Sequence, residues 1–324
     1  ETRGAPERIS TTAAPSERSE FRAKDAWADP SPVDPRVVMR FEGGETVGLA
    51  RLREYLWSTD ALRHYKETRN GVLEANESSK FSAWLGLGCV SARRIYAEVK
   101  RYESERVQNE STYWLIFELL WRDYFKFLAL REGARAFMLS GISRRVLSWK
   151  GDEAAFDRWA QGQTGYPFVD AFMRELSATG FMSNRGRQNV ASFLAKTLGI
   201  DWRWGAAHFE AELIDYDAAS NWGNWQYVAG VGTDPRDRIF NVVKQGRDYD
   251  PDGVFVRRWV PELASVGIEH VHTPWSSGGT SGYPNPIVLP PEPRRASGRP
   301  RRRERMRPEM ALTAGDNRAC RVGA

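Results

Sequence analysis

From Thr46 onward, apolar residues recur every three or four positions. In TVGLARLREYLW, Val47, Leu49, Leu52, Leu56 and Trp57 fall on one side of a helical projection, while Arg51, Arg53 and Glu54 fall on the other. The texture continues through SARRIYAEVKRY, STYWLIFELLWRDYFKFLAL, EAAFDRWAQ, YPFVDAFMRELSATG, GRQNVASFLAKTLG and GAAHFEAELIDY. Many of these segments open on Ser, Thr, Asp or Gly and close near Gly, as capped helices do. Runs that alternate apolar and polar residues are scarce, and the glycines separate helical patterns instead of strands. The pattern therefore predicts an all-α middle. No internal repeat of about 30 to 50 residues marks a solenoid.

The flanks read differently. Residues 1–45 are rich in Pro, Ser, Ala, Arg and Glu without an apolar period, which predicts a linker or disordered arm. Residues 46–275 form the expected helical domain. Residues 276–324 hold ten Arg against four acids, a net of +6 in a chain whose total is +5, and predict a disordered Arg/Gly/Pro-rich tail. That leaves the folded part near neutral, so a nucleic-acid site there must be a local patch. The string GRPRRRERMR, from Gly298 to Arg307, reads equally as a solvated charge run or as a phosphate-binding or localisation segment. No stretch approaches twenty uninterrupted apolar residues, which speaks against a helical membrane span. Cys89 and Cys320 cannot build a disulfide framework, and no Cys/His spacing suits zinc. The expectation is an intracellular monomer that contacts no membrane. The start at Glu1 suggests a fragment or processed form.

Four clusters carry candidate chemistry. Ser78, Ser79, Phe81 and Ser82 stand at a loop-to-helix junction whose hydroxyls and N–H groups suit a phosphate, or simply cap the helix behind them. Glu118 and Arg122 are one helical turn apart with Trp121 beside them, on a stretch apolar enough to bury them; this is either a functional acid and base or a structural ion pair. Asn184, Arg187 and Gln188 share a face that suits an anionic planar ligand or a DNA phosphate. DYDAASNWGNWQY, from Asp215 to Tyr227, mixes carboxylates, Asn221 and aromatics with Ala218, Ala219 and Gly223, which would let a flat ligand approach the backbone.

In their order and spacing these clusters resemble the flavin domain of photolyases and cryptochromes. WAQGQTGYPFVDAFMREL, DWRWGAAHFEAELID, TDPRDRIFNVVKQGRDYDPDGVFVRRWVPEL and HTPW carry the resemblance over residues 41–275. SNRGRQNVASFL and WLIFELLWRDYF are similar to the DASH-type cryptochromes in particular. The resemblance implies an all-α, photolyase/cryptochrome-type helical FAD-binding domain, with the family's N-terminal α/β antenna domain missing. That would leave no complete site for a folate-type antenna (methenyltetrahydrofolate).

By the same resemblance, Tyr65, Ser78, Ser79, Lys80, Phe81 and Ser82 hold the FAD phosphates, and Arg122 lies beneath the cofactor. Arg187, Asp215 and Asp217 surround the flavin ring, with an ion pair expected between Arg187 and Asp215. Asn221 faces flavin N5, where an amide that exchanges no full proton favours the anionic reduced form. Glu118 and Asn184 act on a pyrimidine dimer. Trp121, Tyr227 and Arg185 lie against it, the rings walling a lesion flipped from the helix. Trp225, Trp202 and Trp149 match an electron-hopping chain, or are ordinary core residues; Trp159, Trp204 and Trp222 read as packing. Tyr227 stands where many duplex-repairing members carry a second Trp, which implies a preference for single strands. The activity implied is blue-light, FAD-dependent repair of cyclobutane pyrimidine dimers in single-stranded DNA, with RNA as an alternative substrate. The alternatives are a signalling photoreceptor or an inert fragment. The compartment, whether nucleus, chloroplast or mitochondrion, is not legible.

Overall fold

The computed structural model describes residues 33–234, 238–279 and 282–289; most of the expected arm and tail, including Gly298 to Arg307, lies outside them. Among the described residues the chain is helical, without strands, and a single bridge pairs Lys150 with Ile200. The first half holds α1 (Glu45–Arg53), the short turns α2 (Tyr65–Thr68) and α3 (Ser82–Gly86), α4 (Ala92–Glu105) and the long α5 (Glu110–Glu132). The second half holds α6 (Glu153–Ala160), α7 (Pro167–Thr179), α8 (Asn184–Ser192), α9 (Trp202–Glu212), α10 (Ala218–Ala229), α11 (Val242–Tyr249) and α12 (Val254–Trp259).

Local chemistry sets these boundaries. Asn109 starts α5 by accepting from the Ser111 and Thr112 amides, while the Thr112 hydroxyl receives the Asn109 N–H in return; Gly133 ends the helix. Pro167 opens α7, and Gly180, at φ 68°, closes it in the left-handed region. Ser183, Asp201 and Asp217 cap α8, α9 and α10 through their side chains, so the starts of three helices are fixed close to candidate site residues.

Apolar burial falls into two clusters. One joins α1, α4 and the first half of α5 through Leu52, Tyr55, Leu56, Ile95, Val99 and Leu115. The larger one joins α6 to α12 around Trp159, Phe172, Phe193, Trp202 and Trp259, all at or below 1% exposed. The second half of α5 bridges them by packing on α10, where Phe125 lies over Gly223. No helix among the described residues is long and apolar enough to cross a membrane.

The packed unit starts before residue 46 and continues past 275. Arg36 lies 4.3 Å over the Trp259 ring, Phe41 meets Phe181 at 4.8 Å, and the Trp84 indole donates to the Glu42 carbonyl at 2.9 Å. At the other end, the Tyr283 hydroxyl donates to the buried Asp170 carboxylate at 2.6 Å, and the Ile287 amide to the Thr164 carbonyl at 2.7 Å. Single aromatic and polar anchors hold these segments, which is why no periodicity announced them. The compact unit ends at Val288; a second begins at Leu289, its only described residue.

Candidate functional site

A cavity of about 500 Å³ separates the two apolar clusters, a volume suited to a cofactor-sized ligand. Its floor is apolar, with Leu115, Leu119 and Phe125 from α5, Phe209 from α9 and Trp225 from α10. Polar groups gather at two ends.

At one end lie Tyr65, Ser78, Ser79, Lys80, Phe81 and Ser82. Lys80 has φ 55°, the left-handed region that side chains rarely occupy, and this turn carries its ammonium inward until the residue is 5% exposed. Its Nζ donates to the Glu74 carbonyl and the Ser78 hydroxyl, both at 3.3 Å. Burial, reinforced by the nearby Arg51 charge, holds it down to about 8. Cationic and hydroxyl donors so placed fit a pyrophosphate.

The ring side is built from α8 and α10. Arg187 donates to both oxygens of Asp215, at 3.0 and 2.8 Å, so the ion pair expected from the sequence is present. Arg187 also bonds the Met182 carbonyl at 2.9 Å, which fixes the guanidinium in the wall. Asp217 accepts from the Ser220 amide at 2.9 Å and faces Lys126 at 3.5 Å. Burial works against its charge, but the Ser220 hydrogen bonds and Lys126 prevail and hold its carboxyl below the usual range. Asn221 donates to the Ala206 carbonyl at 2.9 Å, which orients the amide. A Cβ on Gly86 would come 3.2 Å from the Asp215 carbonyl, so the small residue permits a tight approach between α3 and this wall. A flat, polar-edged ring with a phosphate tail fits these residues.

Glu118, Trp121, Asn184 and Tyr227 also line the cavity. The Trp121 and Tyr227 rings meet edge to face with centroids 6.2 Å apart. Glu118 is ion-paired with Arg69, which also lines the cavity. Burial pushes the Glu118 carboxyl up, and Arg69 opposes the shift. A carboxyl kept protonated more easily than usual can donate a hydrogen bond to a carbonyl. Arg122, one turn on, turns to the Leu85 carbonyl at 3.3 Å instead of pairing with Glu118.

Three candidates lie outside this cavity. Arg185 lies over the Tyr249 ring of α11 at 4.6 Å and bonds Gln188 at 3.0 Å, outside the lining of the cavity. Trp202 and Trp149 do not line the cavity; Trp202 belongs to the larger apolar cluster and Trp149 packs against it. Trp225 meets Trp159 with ring centroids 6.2 Å apart, and Trp202 meets Trp222 at 5.7 Å. Arg69, Asn224 and Arg238 line the cavity without having been singled out in the sequence. For Arg69 the available signal was its place one turn after Tyr65; for Asn224, its place in DYDAASNWGNWQY.

The family model described as the FAD binding domain of DNA photolyase matches residues 114–299. The chain is 62% identical over 270 residues to cryptochrome DASH of Gloeobacter violaceus, covering 80% of this chain and 54% of that protein. It is 51% identical over 299 residues to cryptochrome DASH of Danio rerio, covering 89% and 58%. Among solved structures, the Synechocystis sp. PCC6803 cryptochrome is similar with a TM-score of 0.77 at 57% identity, covering 79% of this chain and 56% of that one. The chain thus spans about half the length of the relatives it matches.

Proposed function

The chain belongs to the photolyase/cryptochrome family, as a DASH-type cryptochrome carrying the FAD-binding domain, and from this premise we propose that it repairs cyclobutane pyrimidine dimers under blue light, mainly in single-stranded DNA. The observation that supports the reading is that Glu118, Asn184, Trp121 and Tyr227 all line the same cofactor-sized cavity, Trp121 and Tyr227 in ring contact. Bound FAD would supply, when reduced and excited by light, one electron to the dimer and accept it back after the ring splits.

The chain's own residues do the rest. Lys80, with the hydroxyls of Ser78 and Ser82, holds the phosphates, while Arg187, Asp215 and Asn221 frame the ring. Protonated Glu118 would donate to a dimer carbonyl and stabilise negative charge where it develops; burial pushes its carboxyl in that direction, against the Arg69 pair. Asn184 adds an amide donor at the same edge. Trp121 and Tyr227 flank the extruded bases and exclude water. Tyr227 offers less stacking surface than an indole would, so the cost of extruding a dimer from a duplex is met less fully than from a single strand.

The test is repair of a dimer-containing oligonucleotide, single-stranded and duplex, by the FAD-loaded protein under blue light with a reductant, beside Glu118→Ala. Light-dependent repair of the single strand that drops by about 10²-fold or more in the variant supports the reading. Photoreducible FAD without repair of either substrate overturns it in favour of a photoreceptor.

A further inference from the structure

Trp202 is fully buried, and its indole N–H donates to the Leu139 carbonyl at 3.1 Å. A peptide carbonyl is a poor proton acceptor, so an oxidised Trp202 has no base to take its proton. The Trp149 indole nitrogen is buried without a hydrogen-bond partner, so it has none either. Trp222 differs from both. Its ring lies against Trp202, with centroids 5.7 Å apart at 78°, and its N–H donates to the Glu210 carboxylate at 3.2 Å. It is only half-buried, and Glu210 is exposed. Trp202 and Glu210 stand on α9, and Trp222 stands one turn before Trp225 on α10, so the packing of these two helices assembles the whole group. Phe137 packs against the Trp222 ring, with centroids 4.9 Å apart.

We propose that Trp222 is the terminal electron donor of a branch leaving Trp202 for the surface, and that Glu210 accepts its indole proton. The branch rests on the reading that Trp225 and Trp202 relay electrons inward during photoreduction of the cofactor. An electron passes from Trp222 to oxidised Trp202. The Trp222 radical cation, a far stronger acid than neutral indole, releases its Nε1 proton to Glu210. The radical left behind is neutral, so the electron cannot return unless the proton does, and recombination slows. A thiolate from solution then reduces the radical as the proton comes back from Glu210; two thiyl radicals so formed combine as a disulfide.

The experiment follows tryptophanyl radicals by transient absorption after a blue pulse, in the FAD-loaded full chain without DNA or thiol. Wild type is expected to end as a long-lived neutral radical. Trp222→Phe, which keeps an aromatic ring against Trp202, loses that species. Glu210→Gln, a surface change, ends instead as a shorter-lived radical cation. Flavin content and circular dichroism establish that each variant is folded. A neutral radical of wild-type yield and lifetime in both variants overturns the branch, as does its loss in Trp149→Phe with Trp222→Phe unaffected. A wild-type radical that survives Trp202→Phe overturns the underlying relay as well, and that control separates the two failures.

Discussion

Arg69 and Glu118 form an ion pair across the cavity wall, tying the single turn α2 to the middle of α5. Their side chains are 20% and 33% exposed, so water screens the pair only in part. Burial already pushes the Glu118 carboxyl up, and Arg69 is the group that counters it. Arg69→Ala is expected to cost about 1 kcal/mol in urea unfolding, because it leaves a half-buried acid without its cation. Glu118→Gln in the same chain should restore a large part of that loss, with a coupling of about 1 kcal/mol in the double-mutant cycle. Strictly additive losses would show that the pair contributes nothing.

The Arg187–Asp215 pair lies deeper, with the Asp215 side chain 1% exposed. Breaking it from the acid side strands a guanidinium that also braces the Met182 carbonyl. Asp215→Ala should therefore lose about 3–5 kcal/mol of stability. It should also emerge from gel filtration with little flavin absorbance per chain. A variant that keeps both its unfolding midpoint and its flavin would remove this pair from the cofactor wall.

What the sequence made legible was whatever lay within one element. The turn between Glu118 and Arg122 and the spacing of Asn184, Arg187 and Gln188 follow from helical geometry alone. Contacts between elements left no local trace. Arg69 reaches Glu118 across 49 positions, and Tyr283 reaches Asp170 across 113. Trp159 and Trp222 read as packing in the sequence, and composition alone did not show that one meets Trp225 and the other Trp202. Arg185, beside cavity-lining Asn184, lies over Tyr249 instead, since neighbouring positions on a helix face different ways.

Gly205 tests how tightly the Trp225 ring is seated. A Cβ there would fall 2.2 Å from the Trp225 ring edge and 2.6 Å from a Leu194 methyl. Alanine would otherwise favour α9 by about 0.5–1 kcal/mol over glycine. Forcing apart a buried ring and a buried leucine costs more, about 1–3 kcal/mol. Gly205→Ala is expected to lower the thermal midpoint and slow photoreduction in the FAD-loaded protein. A raised midpoint with unchanged photoreduction would mean that the α9–α10 contact gives way freely.

Glu175 makes stability depend on pH. It is 4% exposed, and its Oε2 has no hydrogen-bond partner. Burial pushes its carboxyl up to about 8, with Lys80, Arg258 and Arg187 opposing, against 4.5 for the ordinary side chain. Below 4.5 the folded and unfolded chains are both protonated there, and the group costs nothing. Between 4.5 and about 8 the unfolded chain releases the proton while the folded one keeps it, so stability falls as pH rises. Above about 8 the folded chain ionises too, and the loss levels off. Lys80 is held down to about 8 by burial, so its own penalty grows as pH falls from 10.5 toward 8 and is then constant through the lower window. Glu175→Gln removes the first effect, and with it the upward pull that the Glu175 charge exerts on Lys80 where both are ionised. Its stability relative to wild type, from urea unfolding at a series of pH values between about 5 and about 8, should rise steadily by up to a few kcal/mol, at about 1.4 kcal/mol per pH unit at most. A difference that stays constant across that range would mean the Glu175 carboxylate is already ionised in the folded chain, with Lys80 outweighing burial.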